Sequence, residues 1–190
     1  QSVERSQGVA QARPCRQFLA KETEQMHVCF GGVGLARDDE RRFQLSVLDS
    51  LFGGSLSSRL FQEVREKRGL AYSIDTFNWS YDDTGLFGLQ AATDPRDAVE
   101  LAHVAVDCMA SAVEDLTEAE LRRAKAQAKV SLLAALESSP SRVNQLARQT
   151  AIFGRVLARS EIIGEIDDLT LSDVRAVGRR LLSSAPTLAA

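Results

Sequence analysis

A turn, Asp82-Asp83-Thr84-Gly85, separates two strand-like stretches. Before it lies Leu70 to Tyr81, rich in β-branched and aromatic residues, and after it Leu86 to Thr93, closed by Asp94-Pro95. That arrangement reads as a β-hairpin, so whatever fold the chain adopts must contain an antiparallel sheet. In the first stretch the apolar alternation shifts from even positions (Tyr72, Ile74) to odd ones (Phe77, Trp79, Tyr81), which predicts a bulge near Asp75–Thr76. Upstream, Met26, Val28 and Phe30 alternate with Gln25, His27 and Cys29, the period of a half-buried strand, and Gly31, Gly32 and Gly34 loosen its exit.

Two helices are expected between these strands. Asp38-Asp39-Glu40 places negative charge where a helix start favours it, and Phe43, Val47, Leu48 and Leu51 follow at helical spacing up to Gly53-Gly54. A second helix follows Ser57-Ser58, with Leu60, Phe61 and Val64 inward and Arg59, Glu63, Arg65, Glu66 and Lys67 mostly outward, and Gly69 ends it. Beyond Pro95 the chain is helical. One stripe comprises Ala98, Leu101, Ala102, Ala105, Met109 and Val113. Thr117 with Glu120 has capping-box spacing and opens a helix carrying Leu121, Ala124, Ala128, Leu132, Ala135 and Leu136 inward, until Ser139-Pro140 breaks it. Further helices are expected from about Arg142 to Phe153, over Ser160 to Ile166, and after Thr170 and Asp173, with the stripe Val174, Val177 and Leu181. The order predicts an α+β fold: a largely antiparallel sheet with helices packed on one face.

Residues 1–22 are polar and aperiodic and read as a connector that can supply an early strand, leaving 23–190 as a single α+β domain. Pro186 to Ala190 reads as the first residues of a strand, so the domain is expected to be cut within it; a start on Gln1 also points to a longer parent. With 190 residues and 44% hydrophobic content, the chain can bury a core without staples. A net charge of −3, spread along the chain, argues against nucleic acid as a partner. No uncharged apolar run approaches the ~18 residues that span a bilayer, which argues against a membrane. Cys15, Cys29 and Cys108 form no disulfide framework, which favours the cytoplasm, while the missing N-terminus leaves export open.

Self-contained catalytic chemistry finds little support. His27 and His103 have no partner at ligand spacing, apart from Cys29 two residues from His27 on one strand face, so no metal site is expected in this domain. There is no G-x-S-x-G elbow, and the glycine pairs lack the lysine of a phosphate cradle. The paired carboxylates Asp82-Asp83 and Asp167-Asp168 fall in turns.

One stretch is more specific. Ser57-Ser58-Arg59-Leu60-Phe61-Gln62-Glu63-Val64-Arg65-Glu66-Lys67-Arg68-Gly69-Leu70-Ala71-Tyr72 closely resembles the C-terminal half-domain of the pitrilysin/insulinase family of zinc metallopeptidases, in particular bacterial members related to mitochondrial processing peptidase. The resemblance runs from Thr23-Glu24-Gln25 through the Tyr81 to Phe87 hairpin to Arg123-Ala124-Lys125 and Glu161 to Val174. It implies two homologous halves facing each other across a chamber, with zinc held by the N-terminal half and no cofactor in this one. It also implies an Arg-x6-Tyr pair, here Arg65 and Tyr72, that reaches across to the substrate. From spacing alone, Arg65 reads as part of a solvated helix face and Tyr72 as core. Two departures stand out. Gly53-Gly54-Ser55 replaces the three glycines common in relatives, and the long glycine-rich loop of the non-catalytic processing-peptidase subunit is lacking.

The resemblance thus implies the substrate-binding C-terminal half of a zinc metalloendopeptidase, inactive in isolation. Its partners are a homologous zinc-binding half, on the same chain or another, and extended peptide. The alternative is a non-catalytic scaffold or core subunit of the same family. An isolated half exposes its partner-facing surface, which allows a homodimer.

Overall fold

A computed structural model describes residues 13–190. Residues 1–12 of the expected connector lie outside the described residues. In chain order the elements are β1 (Arg16–Gln17), β2 (Met26–Val33), α1 (Arg42–Phe52), a π-helix (Phe61–Lys67), β3 (Ser73–Ser80), β4 (Gly85–Thr93), α2 (Ala98–Glu114), α3 (Glu118–Glu137), α4 (Ser139–Phe153), α5 (Arg159–Asp168), α6 (Leu171–Leu182) and β5 (Thr187–Ala189). Among the described residues the strands form one sheet in the order β1-β5-β2-β4-β3. Every pairing is antiparallel except β1 with β5. The fold is α+β, as expected.

The pleat sorts the side chains. Val28, Phe87, Leu89, Ala91 and Ile74 meet on one face, where Leu45, Leu48 and Phe52 of α1, Leu101 and Ala105 of α2, and Val174 and Val177 of α6 close the core. Leu157, Ile162 and Ile166 form a smaller cluster beneath Phe43. On the other face Val33, Trp79 and Leu86 stay exposed, and the Phe77 ring lies across the sheet. A Cβ on Gly88 would come within 2.6 Å of that ring. Trp79 packs beside it at 5.0 Å between ring centroids.

Three expectations are corrected. β3 pairs with β4 in unbroken register from Ser73↔Ala92 to Ser80↔Gly85, so there is no bulge at Asp75–Thr76. The change of parity instead reflects a strand apolar on both faces: Ile74 packs against the helices, whereas Phe77 and Trp79 line the open side. In α3 the buried stripe ends early, since Leu121 and Ala124 are buried but Ala135 is exposed, because the second half of this helix runs past the core. The break at Ser139-Pro140 is itself the start of α4, with Pro in the first turn, where its missing N–H costs nothing.

Both capping boxes are present. Thr117 and Glu120 open α3, and Thr170 and Asp173 open α6, each by reciprocal side-chain and backbone bonds. Asp49 at the end of α1 ties the helix layer to β3 by accepting a bond from the Thr76 hydroxyl at 2.6 Å, and burial pushes its carboxyl up.

Candidate functional site

Ser58 opens the second helix: its hydroxyl oxygen accepts from the Phe61 amide at 3.4 Å and its carbonyl from the Gln62 amide at 3.0 Å. Leu60 and Val64 are fully buried and anchor the segment. From Phe61 the turns widen to π geometry, a rare form concentrated at functional sites. Gly69 ends it at φ +64°, a left-handed conformation at little cost only to glycine. Its amide bonds the Arg65 carbonyl at 3.1 Å, and the Leu70 amide reaches back to the Val64 carbonyl at 2.9 Å. The chain then doubles back through buried Leu70 and Ala71, and the Tyr72 amide joins the sheet by donating to the Ala92 carbonyl at 2.9 Å.

That path brings Arg65 and Tyr72 together. The Arg65 guanidinium carbon lies 5.9 Å from the Tyr72 ring centroid and 4.8 Å from that of Phe61. Arg65 is exposed, and Tyr72 is 71% exposed and so lies outside the core where spacing alone would put it. Among the described residues Arg65 has no carboxylate partner within 4.0 Å, and neither Arg65 nor Tyr72 spends a side-chain N–H or O–H on the protein. Glu63, two residues before Arg65, accepts from Lys67 at 2.8 Å and Arg68 at 3.1 Å, and these bonds hold it below the usual carboxylate range.

Arg59, on the same helix, is occupied. Its Nε and Nη2 donate to the two Glu120 oxygens at 2.7 and 2.8 Å, and Nη1 donates to Asp115. The Arg59 bonds, with help from the Thr117 cap, bring the Glu120 carboxyl down to about 2. Contrary to the sequence reading, Arg59 is not outward but half-buried. A cleft of 440 Å³ between the π-helix and α2 is lined by Arg59, Glu63, Arg68, Asp107 and Cys108, and neither Arg65 nor Tyr72 lines it. Their site is therefore a surface that faces outward.

The residues do not fit a metal. Among the described residues no three His, Cys, Asp or Glu side chains gather to hold one, and His27 and His103 are both exposed on separate elements. Burial pushes the Cys29 and Cys108 thiols up, away from nucleophilic use. No helix among the described residues is long and apolar enough to cross a membrane. Ser55, in the place of a third glycine, keeps a negative φ, since no non-glycine residue described has a positive one. The sequence alone marks Phe61 only as a core residue. Its spacing of four from Arg65 was the signal that the ring and the guanidinium meet.

Comparison with known proteins supplies the family. Residues 2–128, about two thirds of the chain, match the family described as the peptidase M16 inactive domain. An uncharacterized zinc protease of Streptomyces coelicolor is 38% identical over 173 residues, covering 90% of this chain and 38% of its own length. The uncharacterized zinc protease YmxG of Bacillus subtilis is 37% identical over 170 residues, covering 89% of the chain and 42% of its own length. The chain thus spans about two fifths of these relatives. In fold it is similar to a peptidase M16 inactive domain from Pseudomonas fluorescens, with a TM-score of 0.84 at 22% identity over 95% of this chain and 43% of the other. A protease from Helicobacter pylori superposes at 0.82 with 23% identity, over 92% of this chain and 43% of the other. Sequence likeness to zinc proteases over nine tenths of the chain, and a matching fold, make the chain a member of the peptidase M16 family, as its C-terminal, inactive domain.

Proposed function

We propose that this domain is the substrate-binding half of a zinc metalloendopeptidase, and that Arg65 and Tyr72 are its donors to the substrate. The observation that carries the reading is the convergence of two exposed side chains, the Arg65 guanidinium carbon 5.9 Å from the Tyr72 ring centroid, whose donors are unused among the described residues. An exposed arginine that finds no carboxylate beside a tyrosine that finds no acceptor is an arrangement aimed outward. The metal and its ligands belong to a homologous N-terminal half; among the described residues of this chain no cluster of ligating side chains gathers to hold a metal.

What this chain supplies is binding and charge stabilisation. Among the described residues β3 has a neighbour on one side only, so its outer edge can accept an extended peptide as an added strand. Tyr72 stands at the start of that strand, and Arg65 beside it. As a scissile carbonyl oxygen gains negative charge, a guanidinium N–H and a phenol O–H held in place lower the barrier. Each such donor is worth about 2.7–4 kcal/mol, or 10²–10³ in kcat.

The test is peptide hydrolysis by this domain together with its zinc-carrying half. Tyr72→Phe and Arg65→Ala should each lower kcat by about 10²–10³ while circular dichroism stays unchanged. Full activity in both variants would remove these residues from the site. An inactive wild type would favour a scaffolding role.

A further inference from the structure

The proposed role of Arg65 requires its guanidinium to be held, and among the described residues no ion pair holds it. Glu63, the carboxylate nearest in sequence on the N-terminal side, is taken by Lys67 and Arg68. Contact is made instead with two rings: Phe61, whose centroid lies 4.8 Å from the guanidinium carbon, and Tyr72 at 5.9 Å, near the outer limit for such a contact. Of the two, Phe61 is the closer and the firmer. It is half-buried on a segment anchored by fully buried neighbours, whereas Tyr72 is largely exposed.

The chemistry of the two kinds of partner differs. A carboxylate engages the N–H groups of a guanidinium and consumes them. An aromatic face takes its flat side and leaves the in-plane N–H groups free to donate elsewhere. A free arginine side chain samples many rotamers, and fixing it by a ring restricts that sampling without spending a donor.

We infer that Phe61 is a positioning residue: its ring holds the Arg65 guanidinium beside the Tyr72 ring, so that the donors of both side chains are presented to the substrate unspent. This rests on the role proposed for Arg65 and Tyr72 and adds to it a residue that touches no substrate. Phe61 also explains why an exposed arginine needs no acidic partner here. A neighbouring carboxylate would neutralise the charge that the reaction uses.

The test is a double-mutant cycle in this domain together with its zinc-carrying half. Phe61→Leu keeps an apolar side chain and should lower kcat about tenfold with KM changed less than about twofold, whereas Phe61→Tyr should retain activity. In an Arg65→Ala background Phe61→Leu should add no further loss. An equal loss in both backgrounds, or no loss where Arg65→Ala is strongly impaired, would overturn the inference.

A second arm is independent of turnover. In the chain labelled at arginine, the Arg65 side-chain resonances should be ring-shifted in the wild type and in Phe61→Tyr, and should move to ordinary positions in Phe61→Leu. Unmoved resonances would overturn the positioning role. Activity unchanged by Arg65→Ala would overturn the catalytic reading instead, and the two failures are thereby distinguished.

Discussion

Arg59 and Arg65 stand six residues apart on one helix and live in opposite circumstances. Arg59 is held by three bonds to two carboxylates, its side chain 22% exposed and that of Glu120 16%. Arg65 is exposed, spends no N–H on a carboxylate, and rests against aromatic rings. The difference separates a charge tied into the fold from the one proposed to serve the substrate. Arg59 joins the second helix to the start of α3, 61 residues further on, and its guanidinium is engaged through Nε and both terminal nitrogens. Glu63, two residues before Arg65, pairs with Lys67 and Arg68, and among the described residues Arg65 pairs with no carboxylate. One arginine holds the fold together, and the other is presented by it.

That contrast can be broken most severely at Arg59. Arg59→Ala leaves Glu120 half-buried without its partner and should cost about 2–3 kcal/mol, given charge-assisted bonds and a stranded carboxylate. For a chain of this size, that corresponds to a fall in Tm of roughly 5–10 °C. Differential scanning calorimetry on the chain would check it, and a shift below about 2 °C would mean that the pair is as weak as an ordinary surface bridge.

Next comes Gly69, the hinge between the two halves of the candidate site. Its φ of +64° strains any residue with a Cβ, although no atom lies within 4 Å of the added carbon. Gly69→Ala should therefore cost about 1–2 kcal/mol through backbone strain alone. Gly69→Asn should cost less, because asparagine tolerates this region better. Urea titration of both variants would order them.

Acid should sharpen the contrast further. Glu120 is brought down to about 2 in the folded chain, from an ordinary value near 4.5. A lowered folded value means that the unfolded chain binds the proton first. The stabilisation is thus fully present above about pH 4.5 and is lost as pH falls towards 2. Comparing wild type with Glu120→Gln by urea titration at pH 6, 4 and 2.5 should show the difference between them shrinking with acid. A constant difference would contradict the assignment.

The smallest effect belongs to Glu63. Its bonds to Lys67 and Arg68 lie at the surface, so Glu63→Gln should move Tm by less than about 2 °C. A larger shift would make the Glu63 cluster a structural element rather than an ordinary surface pair.

Local signals in the sequence carried far. The hairpin at Asp82 to Gly85, both capping boxes and the C-terminal strand β5 could be read because each depends on residues close together in the chain. What could not be read depended on residues far apart. Arg59 looked like a surface residue because its partners Asp115 and Glu120 are 56 and 61 positions away. The parity change in β3 looked like a bulge because alternation does not say that both faces of that strand are apolar. The π turns between Phe61 and Lys67 carried no signature, since the same residues suit an α-helix equally well. Spacing placed Arg65 and Tyr72 on either side of Gly69, but only the left-handed turn at that glycine makes them neighbours.

The central claim is that Arg65 serves the substrate while Arg59 serves the fold. Its most direct test measures kcat and Tm side by side for Arg65→Ala and Arg59→Ala, with the domain joined to the zinc-carrying half proposed as its partner. The two variants should cross over. Arg65→Ala is expected to lose about 10²–10³ in kcat with Tm essentially unchanged, and Arg59→Ala to lose stability with kcat within a few-fold of wild type. An Arg65→Ala protein that turns over normally, or that loses activity only because it melts, would contradict the account.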